Sequence, residues 1–310
     1  MRAVVQHEFG GPEVLTVSDV PTPEPGPTEI RVRAGAVGVN PVDYWSRIGE
    51  GYVDVLPFVP GWDIAGTVDV VGEGVTLFEP GDRVMGMPWF PAEGGCYAEY
   101  VVGPARHFVH TPISLSDVEA AALPLAGLTA WQALVDAAAV RSGQRVIITA
   151  AGGGVGHLAV QIATALGAAV IASARSDKHP LLRALGATEV LDYREVDIGS
   201  SVRDVDVVLD PYGGATSVRL IRTLRPGGVI IPLLGGATDD VTRAATAHGV
   251  RARSFLVEPD RMGLLELSQL AEAGALRPHV AATWPLSEAA MAHRHLELGR
   301  TAGKLVLTIE

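Results

Sequence analysis

The sequence predicts an α/β fold: a doubly wound parallel sheet of Rossmann type set beside a second, β-rich domain. Three observations carry this. The run Val146-Ile147-Ile148-Thr149-Ala150-Ala151-Gly152-Gly153-Gly154-Val155-Gly156 passes straight into an amphipathic stretch at 157–163, which reads as strand, tight turn and helix. From Arg145 onward, apolar runs alternate with helical stretches, the pattern of a parallel sheet covered by helices on both faces. Before that, the first ~120 residues break into short strands punctuated by Gly and Pro, the texture of a β-rich domain.

In chain order, strands are expected at 29–36, 66–71 and 98–102. Turns at Pro23-Glu24-Pro25-Gly26-Pro27, Glu79-Pro80-Gly81-Asp82 and Glu93-Gly94-Gly95 separate this part of the chain into short pieces. The texture turns helical at 116–122, and a longer helix is expected over 128–139. The sheet strands fall at 145–150, 168–174, 189–192, 205–210 and 228–234, with an edge strand at 251–257. A helix at 261–273, a strand at 280–284, a helix at 287–298 and a strand at 304–309 complete the chain. The last segment has the texture of the first domain, so the chain is expected to return to it. The reading is 1–122 with 260–310 as the catalytic and substrate domain, and 123–259 as the dinucleotide-binding domain.

Composition narrows the function. The chain has 310 residues, 48% of them apolar, enough for two cored domains. A net charge of −11 argues against a nucleic-acid surface or an anionic membrane as partner. The single cysteine, Cys96, excludes an internal disulfide and any multi-cysteine zinc site. The opening Met1-Arg2-Ala3-Val4-Val5-Gln6-His7 lacks the apolar core of a signal peptide, and no apolar run is long and clean enough to span a bilayer. A cytoplasmic protein without a membrane partner is the expectation.

The glycine-rich turn is the first candidate site. A pyrophosphate rests on the N-terminus of the helix that follows such a turn, and glycines let the backbone approach it. Ala150, Gly153, Gly154, Val155 and Gly156 are the candidate cofactor contacts; Ala151 stands where the first glycine of a strict G-x-G-x-x-G would be. The second strand ends in Arg175, where an NAD site would place a carboxylate for the ribose hydroxyls. A guanidinium there can pair with a 2′-phosphate, so NADPH is the expected cofactor. The alternative is a solvated loop. Asp177, close by, is read as an early-helix acid favoured by the helix dipole.

Several phrases together resemble the medium-chain dehydrogenase/reductase superfamily, in its zinc-free quinone oxidoreductase branch. They are Asn40-Pro41-Val42-Asp43, Pro60-Gly61-Trp62-Asp63-Ile64-Ala65-Gly66, Pro80-Gly81-Asp82-Arg83-Val84, Leu123-Pro124-Leu125-Ala126-Gly127-Leu128-Thr129-Ala130-Trp131, the turn from Ala150 to Gly156, Asp192-Tyr193-Arg194, Asp210 with Gly213-Gly214, and Gly303-Lys304-Leu305-Val306-Leu307. They keep their order along essentially the whole chain. The resemblance implies a GroES-like β domain joined to a Rossmann domain, NADPH-dependent reduction of quinones or activated enones, and a homodimer. The strand at 251–257 is the surface on which two copies would pair, since an open apolar edge otherwise invites aggregation.

The resemblance also places residues. Asn40 stands where zinc-dependent relatives carry the first catalytic cysteine, and Trp62 where they carry a histidine, so no metal is expected. Asn40 and Tyr44 are the candidates for polarising and protonating the acceptor, with Asn40 expected to face the substrate. Arg47 is either a substrate contact or an exposed helix arginine, and Asp43 is read as its ion-pair partner one turn away. Tyr52 and Trp62 build an aromatic wall or pack in the core. Thr129 approaches the nicotinamide or satisfies donors at a helix start. Lys178 and Tyr193 join Arg175 at the 2′-phosphate. Trp89-Phe90 either shapes acceptor choice or plugs the surface, Tyr212 is bulkier than the family's usual residue, and His293 and His295 are read as solvated or capping. Three functions follow: a quinone or enone reductase, a pathway-specific enoyl reductase in biosynthesis, or a non-enzymatic cofactor-binding sensor or structural protein.

Overall fold

The continuous apolar runs Arg145–Ile148, Ala169–Ser173 and Val205–Asp210 form strands buried on both faces, as parallel sheets require. In the computed structural model, which describes residues 1–309, they belong to a six-stranded, all-parallel sheet. Its order is Glu189–Leu191, Ala169–Ser173, Arg145–Ile148, Val205–Asp210, Leu224–Pro232, Arg251–Ala252. The order reverses direction between Arg145–Ile148 and Val205–Asp210, the switch point at which such sheets open a crevice at their carboxyl ends. Ile147, Val208 and Ile230 fill the core around it. This unit spans Thr129–Val257.

The other unit is Met1–Leu128 together with the segment from Glu258 onward. Arg2–Gln6 and Leu15–Asp19 form an antiparallel pair. A seven-stranded sheet runs Val280–Pro285, Lys304–Thr308, Glu29–Val39, Asp63–Val71, Arg83–Gly86, Phe108–His110, and Tyr100–Pro104 also pairs with the long Glu29–Val39. The final strand lies antiparallel on Glu29–Val39, with Leu305 opposite Val39, while Asp63 lies opposite Gly38. That register gathers Asn40, Asp63 and Lys304 at one end of three adjacent strands.

Local chemistry explains the helices. Ser116 and Glu119 form a capping box that starts Asp117–Ala121. Asp260 accepts from the N–H groups of Met262 and Gly263 and starts Arg261–Glu272. Two elements differ from expectation. The helix expected over 128–139 starts earlier, at Pro124, whose fixed φ suits a first helical position, and it widens into a π turn at Gln132–Ala137. The edge strand expected over 251–257 is regular only at Arg251–Ala252. The ladder ends after Arg253 N–H reaches Ile230 O, and Ser254 Oγ accepts from Ala237 N–H instead. Among the described residues no helix is long and apolar enough to cross a membrane.

Candidate active site

In the Thr129–Val257 unit a cavity of about 530 Å³ opens at the carboxyl ends of the sheet strands. Thr149, Ala150, Ser173, Tyr193, Tyr212 and Arg219 are among its walls. Thr149 Oγ1 donates to Asp210 Oδ1 at 2.6 Å, tying together the strand ends on either side of the switch point. Asp210 is fully buried and also accepts from Ser217 Oγ and the N–H groups of Tyr212 and Gly213.

The turn beside this cavity is closed by its lack of side chains. A Cβ at Gly156 would lie 2.4 Å from Ala150 O, and one at Gly152 would lie 2.4 Å from Lys178 Cδ. Ala150 itself has a positive φ of 46°, a conformation that ordinarily favours glycine. Helix Gly156–Ala165 begins here, and the positive end of its dipole favours an anion. These residues fit a dinucleotide pyrophosphate.

The structure puts the expected 2′-phosphate residues on two neighbouring loops. Arg175 pairs with Asp177 at 3.0 Å, so Asp177 is an ion-pair partner rather than an isolated helix-dipole acid. It lies in a short 3-10 turn, Ser176–Lys178, where the guanidinium reaches it directly. Lys178 lies over Gly152, and burial, helped by Arg175, lowers the pKa of its ammonium against the pull of Asp177. Tyr193 is half exposed and lines the cavity. Asp192, which has no role in the sequence reading, joins the loops: it accepts from Ser176 N–H and from Arg194, and the Arg194 bonds hold its carboxyl well below the usual range. Thr129 lies inside helix Pro124–Trp131, not at its start.

In the other unit, Asn40 is 1% exposed. Its Nδ2 donates to Asp63 Oδ2 at 2.7 Å, and its Oδ1 accepts from Lys304 Nζ. A lysine only donates and a carboxylate only accepts, so these partners fix the amide's orientation. Lys304 also donates to Val39 O and Asp63 Oδ2, while Asp63 Oδ1 accepts from Leu125 N–H. Asn40 is therefore an internal joint, in contrast to the expected substrate-facing amide. The cause is the strand register, which brings a buried ammonium and a buried carboxylate to either end of its side chain.

Helix Pro41–Arg47 follows Asn40. Asp43 Oδ2 accepts from Asn40 N–H at 2.7 Å and from the Tyr97 hydroxyl at 2.9 Å. Burial pushes the Asp43 carboxyl up to about 7, against those two hydrogen bonds and Lys304. Arg47 is neither a substrate contact nor an exposed arginine, nor is it paired with Asp43. It is 1% exposed, pairs with Glu297 at 2.7 Å, and donates to Gly10 O and His293 Nδ1. His293 is fully buried, not solvated, and burial with Arg47 beside it holds its pKa down to about 3. Tyr44 stays partly exposed, its ring 4.8 Å from Trp45 and 5.2 Å from the Arg47 guanidinium.

The aromatic residues do gather. Phe90 takes Tyr52 and Trp62 edge-on, each at 5.5 Å. Trp62 is core, with Nε1 donating to Ala92 O, whereas Tyr52 is 52% exposed. Phe90 is buried, whereas Trp89 is exposed and its Nε1 donates to Val102 O. Among the described residues no group of three or more His, Cys, Asp or Glu side chains is placed to hold a metal ion.

Known proteins match this chain along its whole length. The family model described as "Alcohol dehydrogenase GroES-like domain" matches residues 26–113, and the one described as "Zinc-binding dehydrogenase" matches 185–307. The 2-haloacrylate reductase of a Burkholderia species is 34% identical, covering 99% of this chain and 98% of its own. The solved quinone oxidoreductase of Coxiella burnetii has a TM-score of 0.94 at 37% identity, covering 100% of this chain and 99% of its own. The Escherichia coli quinone oxidoreductase, solved in complex with NADPH, has a TM-score of 0.89 at 29% identity, covering 99% and 100%. The chain belongs to the medium-chain dehydrogenase/reductase superfamily, in its quinone oxidoreductase-like branch, and is an oxidoreductase.

Proposed function

We propose that the chain reduces quinones or α,β-unsaturated carbonyl compounds with NADPH, and that it does so without zinc. The observation that carries this reading is Arg175 at the end of the second sheet strand, with Lys178 beside it, where an NADH site would hold a carboxylate. The NADPH complex of the Escherichia coli relative supports the same cofactor. When bound, NADPH supplies the hydride. The turn Ala150–Gly156 and the Arg175, Lys178 and Tyr193 side chains would hold its phosphates, and by the family resemblance Thr129 would approach its nicotinamide. Tyr44 gives a proton to the acceptor oxygen, and Tyr52 offers an aromatic face to the acceptor ring. Zinc needs thiolate, imidazole or carboxylate ligands. Here the two ligand positions carry an amide bonded at both ends and a buried indole. Without a Lewis acid the acceptor has to be electron-poor from the start, as quinones and enones are.

A second reading is a reductase dedicated to one conjugated alkene; the 2-haloacrylate reductase relative favours it. NADPH oxidation measured against quinones, enones, 2-haloacrylates and simple aldehydes, with and without a chelator, separates these. Turnover of quinones and enones that survives chelation is expected. Turnover of one alkene alone selects the second reading, and metal-dependent turnover of simple aldehydes overturns both. We also read the chain as a homodimer joined near Arg251–Ala252, which pairs within the sheet on one side only. A monomer by light scattering at micromolar concentration would overturn that.

A further inference from the structure

Five side chains from three separate stretches of the chain form one hydrogen-bonded chain, buried from Asp43 to Arg47 and ending at the partly exposed Glu297, whose direction chemistry fixes. Arg47 only donates, so the His293 Nδ1 it meets at 3.2 Å is an acceptor. A neutral imidazole then carries its proton on Nε2, which donates to the Tyr97 oxygen at 3.1 Å. The Tyr97 proton is left for Asp43 Oδ2, 2.9 Å away. At the far end Arg47 pairs with Glu297, on the same helix as His293.

Asp43 and Arg47 lie at the two ends of helix Pro41–Arg47. Tyr97 and His293 therefore bridge its first turn to its last from outside. Both bridging residues are themselves held. Tyr97 N–H bonds Pro60 O, its carbonyl accepts from Val4 N–H, and Gly61, where a Cβ would lie 2.3 Å from the ring, leaves it room. His293 meets the Tyr97 ring edge-on at 5.8 Å. The helix so clamped carries Tyr44, and its cap residue is Asn40, whose N–H is the other donor to Asp43 Oδ2.

We propose that Tyr97 and His293 are positioning residues, which act through Asp43 and Arg47 to fix the helix that presents Tyr44. This deepens the reductase reading and rests on it for its kinetic test. Tyr97→Phe removes a single oxygen and keeps the ring. It is expected to lower kcat for an enone roughly tenfold, the equivalent of one lost hydrogen bond, while KM for NADPH stays within about twofold. His293→Leu should do the same. His293→Gln can accept from Arg47 and donate to Tyr97, so it should restore most of the rate. Two variants that melt like the wild type and turn over like it overturn the proposal, as does a Gln variant no better than Leu.

A second measurement is independent of turnover. Nitrogen NMR of the full-length protein should show His293 neutral and protonated on Nε2 from mildly acidic to neutral pH, with its shifts altered in Tyr97→Phe. A ring that titrates near 6.5, or one protonated on Nδ1, overturns the chain whatever the enzyme reduces. A wild type that shows the expected tautomer but reduces no acceptor sinks the reductase reading alone.

Discussion

Lys304 is one of only two lysines in the chain, and it sits 3% exposed against Asn40, Asp63 and Val39 O. Removing one partner of a buried ion pair strands the other charge, so Lys304→Met should lower stability by about 3–5 kcal/mol. Adding Asp63→Asn should recover much of that loss. Denaturant melts of the two single variants and the double variant check this; additive losses would mean that the charges do not interact. Sequence reasoning missed this cluster because its members lie up to 264 residues apart and only the strand register unites them. Tyr44 stays partly exposed, and the proposal that it gives a proton to the acceptor has a direct test. Removing a preorganised donor costs about 2.7–4 kcal/mol in the transition state. Tyr44→Phe should therefore slow enone reduction by roughly two orders of magnitude. Quinone reduction should fall less, since the weaker base can take its proton from water. Equal rates in both variant and wild type for both acceptors would leave Tyr44 as wall.

At the scale of elements, the turn at Gly152–Gly156 is constrained by its own backbone. A side chain at Gly156 meets Ala150 O at 2.4 Å and Ala151 Cα at 2.7 Å, both main-chain atoms that cannot swing aside. Gly156→Val should lose NADPH binding and cost on the order of 1–3 kcal/mol in overpacking. At Gly153 the nearest atom is 3.2 Å away, so Gly153→Ala should be much milder. Cofactor titration by fluorescence, alongside melts, tests the order; Gly153→Ala worse than Gly156→Val would refute it. This turn was legible in sequence because strand, glycines and helix are contiguous. The parallel sheet was legible too, because burial on both faces leaves continuous apolar runs in Arg145–Ile148 and Val205–Asp210. The segment at 251–257 was not, since β-branched and aromatic residues suggest a strand, but the ladder stops at Arg253 N–H and Ser254 Oγ accepts from Ala237 N–H instead. Helix Pro41–Arg47 shows the same limit. Its i to i+4 charges suggest a local ion pair, yet the buried Tyr97 and His293 and the partly exposed Glu297 claim both residues.

Across the whole molecule, two buried groups pull the pH dependence of stability in opposite directions. Asp43, pushed up to about 7 from 3.8 by burial, keeps its proton in the folded chain after the unfolded chain has lost it. Its contribution is greatest below 3.8 and is lost as pH rises toward 7. His293, held down to about 3 from 6.5 by burial and by Arg47, stays neutral in the folded chain while the unfolded chain is charged. Its contribution is full above 6.5 and is lost as pH falls toward 3. Between 3.8 and 6.5 folding thus releases a proton at one site and takes one up at the other, and the two slopes cancel. Each slope on its own approaches about 1.4 kcal/mol per pH unit. Relative to the wild type, Asp43→Asn should make stability rise with pH across that window. His293→Gln should make it fall, and the double variant should run parallel to the wild type. Lys304, Asp63 and Arg47, the other charges facing the pair, are unchanged in all three proteins and drop out of the comparison. Urea melts at several pH values read the slopes directly. Single variants whose stability tracks the wild type across the window would mean that the two sites exchange no proton on folding.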